Sequence, residues 1–397
     1  MITMHFDYRD LFRANRLAFS FQRLFIQGTG LLIGYCFYVV MFYLSLILTG
    51  RSLARAWERY GLIPSYGEMV FPWYGWVLIA LGVAALVVSW LISSTAVSRA
   101  SYMHMKGNTF YTWKEAFNFA IRKKGLAVIA TPVAIAAIAF FIGLGGAVIG
   151  LLARIPVVGP IGLSLFTVIW FIVSFLLVFI LFALGAALLL TPAIIATTDD
   201  DAFEGIFQSF SVLYSQPWRL VLYEGLSMVL AIIGFLVFAV VAKLTWQVMT
   251  GLFLLGMGDG YGDLSYHAVY LFQNWIHQAL ILAKSSGCES LVSALFAHNF
   301  ISVELTGAMQ IAAIIMGILV TLISVYVLAF PIASLNVGHT LIFLIIKKMK
   351  DDENLLERKD DEEDFEDFEE NPSGEDQTKP AVEKKPAKKK TTRAKKK

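Results

Sequence analysis

Residues 161–195 read IGLSLFTVIWFIVSFLLVFILFALGAALLLTPAII, 35 positions without a charge. About 20 apolar residues cross the hydrocarbon of a bilayer, and there one segment can satisfy its own backbone hydrogen bonds only as a helix. The stretch makes this a membrane protein. Working outward, the same reading applies at 126–151 and 219–243, then at 73–98, 25–49 and 306–330. The fold class that follows is all-α, a polytopic transmembrane helical bundle of about six spans. The whole chain agrees: of 397 residues 57% are hydrophobic and 16% charged, with a mean hydropathy of +0.67. Two cysteines exclude a disulfide scaffold, and Cys36 in the first span cannot meet Cys288 outside it.

The formal charge of +2 hides a segregation, because residues 347–397 hold 15 Lys/Arg and 16 Asp/Glu. The chain therefore divides into a transmembrane helical domain, 1–350, and a charged cytoplasmic tail, 351–397, that cannot bury enough apolar area to fold. Arg9, Arg13, Arg16 and Arg23 precede the first span, whose apolar run is too long for a signal-peptide core; it reads as an uncleaved anchor. With the N-terminus inside, the inner segments carry 16 Lys/Arg and the outer ones 6. That asymmetry predicts a multi-pass membrane protein with both termini cytoplasmic. The runs from 161 and 306 are longer than one span, and Pro192 and Pro331 near their inner ends are expected to let the chain turn, leaving 332–350 as an inner-surface helix.

Before each odd-numbered span lies an amphipathic stretch. Phe203, Ile206, Phe207, Phe210, Leu213 and Tyr214 recur on one helical face, and Asp199, Asp200 and Asp201 stand at its positive N-terminal end. Thr112-Trp113-Lys114-Glu115 has the form of a capping box, and the face through Trp113, Ala116, Phe117, Ala120 and Ile121 ends at Arg122-Lys123-Lys124-Gly125. Tyr8, Leu11, Phe12, Ala18 and Phe19 form the first such face. Aligned on these helices, the chain reads as three repeated units of inner amphipathic helix, span, outer connection and span, with Asp10, Glu115 and Glu204 at matching places; the alternative is that surface helices simply recur between spans.

The third unit carries a motif. Pro192-Ala193-Ile194-Ile195, Glu204-Gly205-Ile206-Phe207-Gln208-Ser209-Phe210 and Pro217-Trp218-Arg219-Leu220 resemble the pattern P-x-I-V, E-A-L-x-x-S-W, F-W-R of bacterial membrane proteins related to the membrane domain fused to glycerophosphodiester phosphodiesterases. Its marks here are Pro192, Glu204, Ser209, Trp218 and Arg219, with Gly205 in place of the usual Ala. The resemblance implies a membrane domain of that kind, in the bacterial inner membrane. No phosphodiesterase barrel accompanies it, so no hydrolytic activity is implied.

Candidate sites are few. Glu224 is the one clear charge inside a span, and intramembrane charge points to a polar path or to pairing near the surface. Asn336 and His339, after Pro331, are expected at the inner surface, and Arg154 in a tight outer turn at the headgroups. Gly258-Asp259-Gly260-Tyr261-Gly262-Asp263 resembles a potassium-channel filter but lacks the Thr-Val that normally precedes the glycine, so it reads as a glycine-rich turn with acidic caps. Asp263, His267 and His277 are three mixed ligand types without a tight metal motif, and fit a polar helix face better. Gly30 and Gly34, and Gly146 and Gly150, are small-residue pairs for close helix packing. No Ser/His/Asp, Walker or HExxH pattern is present, so the chain is expected to be no enzyme and to need no cofactor.

The tail runs from DDEEDFEDFEE at 360–370 to KKPAKKKTTRAKKK at 384–397. Lys388, Lys389, Lys390, Arg393 and Lys395 suit anionic lipid, the ribosome or nucleic acid alike, since polyelectrolyte attraction is blind to sequence. Phe365 and Phe368 offer apolar contacts to a protein partner or shield the lysines. The functional expectation is an integral membrane protein, bound to the lipid bilayer, in envelope organisation or membrane-associated assembly. The alternative is a transporter or channel through the centre of the bundle.

Overall fold

A computed structural model of the chain describes residues 3–64, 71–288, 303–305 and 307–358. Met1–Glu357 make one unit; of the second, Arg358–Lys397, only Arg358 is described, so Phe365, Phe368 and the tail lysines lie outside the described residues.

A 3-10 turn, Tyr8–Arg13, starts from Asp7, whose side chain caps it, and leads through α1 (Ala14–Ala18) to the first long helix, α2 (Phe21–Leu48). After α3 (Leu53–Tyr60) comes α4 (Trp73–Lys106), which ends on a left-handed Gly107. The next interfacial segment is α5 (Trp113–Asn118), continued by a π turn over Phe119–Lys123. The capping box forms as its spacing predicts: the Glu115 backbone N–H donates to Thr112 and the Thr112 N–H donates to the Glu115 carboxylate. α6 (Gly125–Leu152), α7 (Val158–Leu165) and α8 (Thr167–Thr198) follow. Then come α9 (Ala202–Ser215), α10 (Pro217–Met257), α11 (Asp259–Trp275), α12 (His277–Ala283) and α13 (Ala308–Asp351). The described residues contain no strand. Six of the helices, α2, α4, α6, α8, α10 and α13, are long and apolar enough to cross a membrane, which makes the chain a multi-pass membrane protein.

Both prolines depart from their expected role. Pro192 lies within α8 and Pro331 within α13, and neither helix ends there. α13 runs for 44 residues, so 332–350 is no separate surface helix. Proline costs a helix one hydrogen bond and a steric clash, and dense packing against neighbouring helices sustains a kinkable segment in spite of that. Residues 190–198 of α8 and 336–346 of α13 are buried throughout.

Those two segments meet residues 93–103 of α4, likewise buried throughout, at the end of the bundle that carries α1, α5 and α9. This closed end holds the main core, built from Ala96, Val97, Ala100, Leu190, Ala193, Ile194, Val337 and Leu341 among others. The second helices of the three hairpins, α4, α8 and α13, touch one another, and α2, α6 and α10 lie outside them. α1 rests on α10 and α13, α5 on α2 and α4, and α9 on α6 and α8, so each interfacial segment packs on the hairpin that precedes it in a circular order. After α13 the chain folds back, burying Leu355 and Leu356 in the same core, where the Tyr102 hydroxyl donates to the Leu355 carbonyl at 2.6 Å. At Asp352, on the way, the Lys348 ammonium hydrogen-bonds the carboxylate at 2.8 Å and holds it below the ordinary carboxylate range.

Candidate functional site

α10 enters the bundle at Pro217, and one face of it, through Leu220, Glu224, Ser227 and Ala231, turns toward α13. Glu224 Oε2 stands 3.1 Å from His339 Nε2, with the histidine side chain 5% and the glutamate side chain 19% exposed. Ser227 presses on Gly338, where a β-carbon would collide with its hydroxyl. Glu224 Oε1, Ser227 Oγ and His339 Nδ1 are buried and make no hydrogen bond. Glutamate and histidine in contact can share or exchange a proton, and three orphan polar atoms can bind a polar group. Glu224 is therefore paired with a histidine. Its partner His339 sits inside the helix packing, since α13 does not turn at Pro331.

One layer away, α2, α4 and α13 are joined by side-chain amides. Asn336 Nδ2 donates to Gln27 Oε1 at 2.8 Å and to Ser94 Oγ at 3.0 Å, while Gln27 Nε2 donates to Ser93 Oγ at 3.2 Å. Gln27 and Ser94 are 0% exposed and Asn336 2%, so each hydrogen bond here replaces one that water cannot supply.

The third cluster closes the C-terminal end of α8. Arg99 of α4 is fully buried; its Nη1 donates to the Ala196 carbonyl at 3.0 Å, its Nη2 lies 3.8 Å from the Asp199 carboxylate, and its guanidinium stacks 4.3 Å over the Phe119 ring. Lys124 Nζ bonds the same carboxylate at 2.7 Å and the Asp199 carbonyl at 2.5 Å. Two cations thus meet the negative end of a helix dipole and its unsatisfied carbonyls. Asp199 adopts a left-handed conformation to end α8, so it serves this cluster; Asp201 alone of the three aspartates caps α9, accepting from the Glu204 N–H at 3.0 Å. Nothing in the sequence distinguished Arg99 from a topology-setting surface charge except its setting in the small, polar run Ser93-Ser94-Thr95-Ala96-Val97-Ser98-Arg99.

The motif residues do not converge on one point. Pro192 is buried in α8, Glu204 accepts from Gln208 at 2.6 Å, and Ser209 bonds back to the Gly205 carbonyl at 2.8 Å. Trp218 is 74% exposed, while Arg219 donates to Gln216 at 3.1 Å and reaches the sulfur of Met349. The glycine at 205 has a local reason: a β-carbon there would lie 2.7 Å from Thr131 Oγ1 of α6.

At the far end, the filter-like stretch forms a turn at Gly258 followed by the first turn of α11. His277 is held by backbone, with Nδ1 2.7 Å from the Asn274 carbonyl and Nε2 2.9 Å from that of Arg59, and the Leu62 N–H donates to the Trp275 carbonyl at 2.7 Å. His277 therefore ties α11 and α12 to the α3 turn. Among the described residues no group of three His, Cys, Asp or Glu side chains is placed to hold a metal ion. Set against protein-family models, curated proteins and solved structures, the chain matches none of them.

Proposed function

We propose that this is a non-enzymatic membrane scaffold of the bacterial inner membrane, a six-span anchor whose cytoplasmic tail tethers a partner in envelope organisation or membrane-associated assembly. The observation that carries the reading is the closed end. There two buried polar clusters join helices: Asn336 links α2, α4 and α13, and Arg99 with Lys124 links α4 and α6 to the end of α8. A transport path needs a wetted polar wall, whereas residues 336–346 of α13 are buried in protein. The likeness of the Pro192, Glu204, Ser209, Trp218, Arg219 motif to the phosphodiesterase-associated membrane domain is compatible with the same reading, since in this chain Pro192 is packed within α8 and Glu204, Ser209 and Arg219 bond neighbours on their own segment.

The test is association. The full chain and a form lacking 384–397 are purified from membranes, and what accompanies each is identified as lipid, ribosome, nucleic acid or protein. Loss of a salt-sensitive partner with the tail supports tethering; identical partners for both forms at low salt overturn it. The second reading, transport, is favoured by the Glu224–His339 pair and its orphan atoms. A proton or solute flux in proteoliposomes that Glu224→Gln abolishes would establish it; its absence leaves the pair a helix contact.

A further inference from the structure

The three interfacial segments at the closed end all present aromatic side chains outward but differ in what happens to their charges. In the first, Phe12 and Phe19 are exposed beside Arg16, but two carboxylates stand among its arginines, Asp10 3.4 Å from Arg13 and Asp7 3.8 Å from Arg9. In the third, Phe203, Phe207 and Tyr214 are exposed beside Asp201 and Glu204, and α9 itself has no Lys or Arg. The second is different. Trp113, Phe117 and Ile121 follow one another at steps of four, and Lys114 and Arg122 border them one position on. The one carboxylate of the segment, Glu115, is committed to its own cap, accepting from the Thr112 N–H at 2.5 Å and the Thr112 hydroxyl at 2.9 Å.

The neighbouring helix continues the surface. Phe21, 86% exposed, stacks on Phe25, and Phe25 meets the Trp113 ring edge-on with centroids 5.3 Å apart. The Lys114 ammonium lies 5.6 Å from the Trp113 ring, and Gln22 donates to the Tyr111 carbonyl at 2.7 Å, fixing α2 against α5. An aromatic ladder from two helices thus leads up to a cationic rim at the depth where interfacial helices sit.

We infer that the seam between α2 and α5 seats an anionic phospholipid, its acyl chains along Phe21 and Phe25 and its headgroup phosphate against Lys114 and Arg122. Charge selects the lipid: against the two cations of the rim a zwitterionic headgroup brings no net charge, while an anionic one offsets one of them.

The experiment uses the full chain in phosphatidylcholine vesicles containing a small, equal fraction of brominated phosphatidylglycerol or brominated phosphatidylcholine, whose bromines quench nearby tryptophan. The difference between the wild type and Trp113→Phe isolates the Trp113 signal. Local enrichment of the anionic lipid on the order of fivefold is expected at Trp113, falling to parity in Lys114→Gln/Arg122→Gln. Equal quenching of wild-type Trp113 by the two lipids overturns the inference, as does a preference that inorganic phosphate at screening-matched ionic strength removes and sodium chloride does not, which would assign the rim to free phosphate. Should Trp113→Phe fail to fold, the ratio of glycerol to ethanolamine phospholipid retained by the purified wild type and by Lys114→Gln/Arg122→Gln decides by mass spectrometry; an unchanged ratio overturns the inference.

Discussion

The hairpin of α2 and α4 and the hairpin of α6 and α8 are built from the same materials and come out differently. Both contain helices of near-uniform apolar character with a pair of glycines four apart. In the first, Gly30 and Gly34 lie against Ser93 and Ser89 of α4, so close that a β-carbon at 34 would stand 2.8 Å from that of Ser89, and the Ser89 hydroxyl donates to the Gly30 carbonyl at 2.5 Å. Its far end is closed by an aromatic cluster of Phe42, Tyr43, Tyr60 and Phe71. In the second, Gly143, Gly145, Gly146 and Gly150 each have open space where a side chain would go, and α7 has no buried residue. A small-xxx-small pattern permits close approach; whether a helix comes is decided by what faces it. Across from Gly30 and Gly34 α4 offers serines, which are small and can donate to a bare carbonyl.

The difference ends at the closed end, where α8 is locked to α4 through Arg99, and removing that lock should have the largest effect. Arg99→Ala strands the Ala196 carbonyl, leaves Asp199 to Lys124 alone and opens a void beside Phe119, a loss of about 2–3 kcal/mol. Thermal unfolding in detergent should show it, and limited proteolysis should cut first between α8 and α9. If instead the variant melts with the wild type, the two hairpins are held by apolar packing alone and the polar cluster is incidental.

Gly30→Leu comes next, since it acts inside one hairpin. Four heavy atoms have to enter a gap already filled by Ser93, and overpacking of this kind costs about 1–3 kcal/mol. The same variant with Ser93→Gly should recover part of the loss, because the clash is with that side chain. An unrecovered loss would move the strain from the α2/α4 seam to some other contact of Gly30.

Thr112→Ala tests a smaller, local element. The cap it removes is worth about 1 kcal/mol, and its loss should raise amide exchange over Trp113–Lys123 while leaving the melting of the bundle nearly unchanged. This element was legible in the sequence because the Thr-x-x-Glu spacing, the apolar period and the glycine stop are all local. So were the six spans, whose length is a property of each segment alone. What escaped reading was tertiary. Pro192 and Pro331 lie inside helices that continue past them while packed on their neighbours, and His339 falls beside Glu224 because α13 runs on beyond Pro331. Arg99 counted as one positive charge among those of the inner segments, yet it is 0% exposed, a fact set by α8 and Phe119, which lie far along the chain.

Gly146→Leu has the smallest expected effect and says most about the second hairpin. Within one chain the new side chain meets nothing, so stability should change by less than about 0.5 kcal/mol. The exposed neighbours on both helices are Phe140, Phe141, Val148, Phe171, Ile172 and Phe175, side chains that lipid tails solvate as well as protein does. On that ground the face belongs to lipid, and the variant should have the same mass by light scattering in detergent and the same crosslinking pattern in membranes as the wild type. A second copy packed on α6 through these glycines would be pushed off by leucine. A wild-type dimer that dissociates in Gly146→Leu but survives Leu144→Ala, the residue on the other side of the helix, would show that the two hairpins differ only in where their partner comes from.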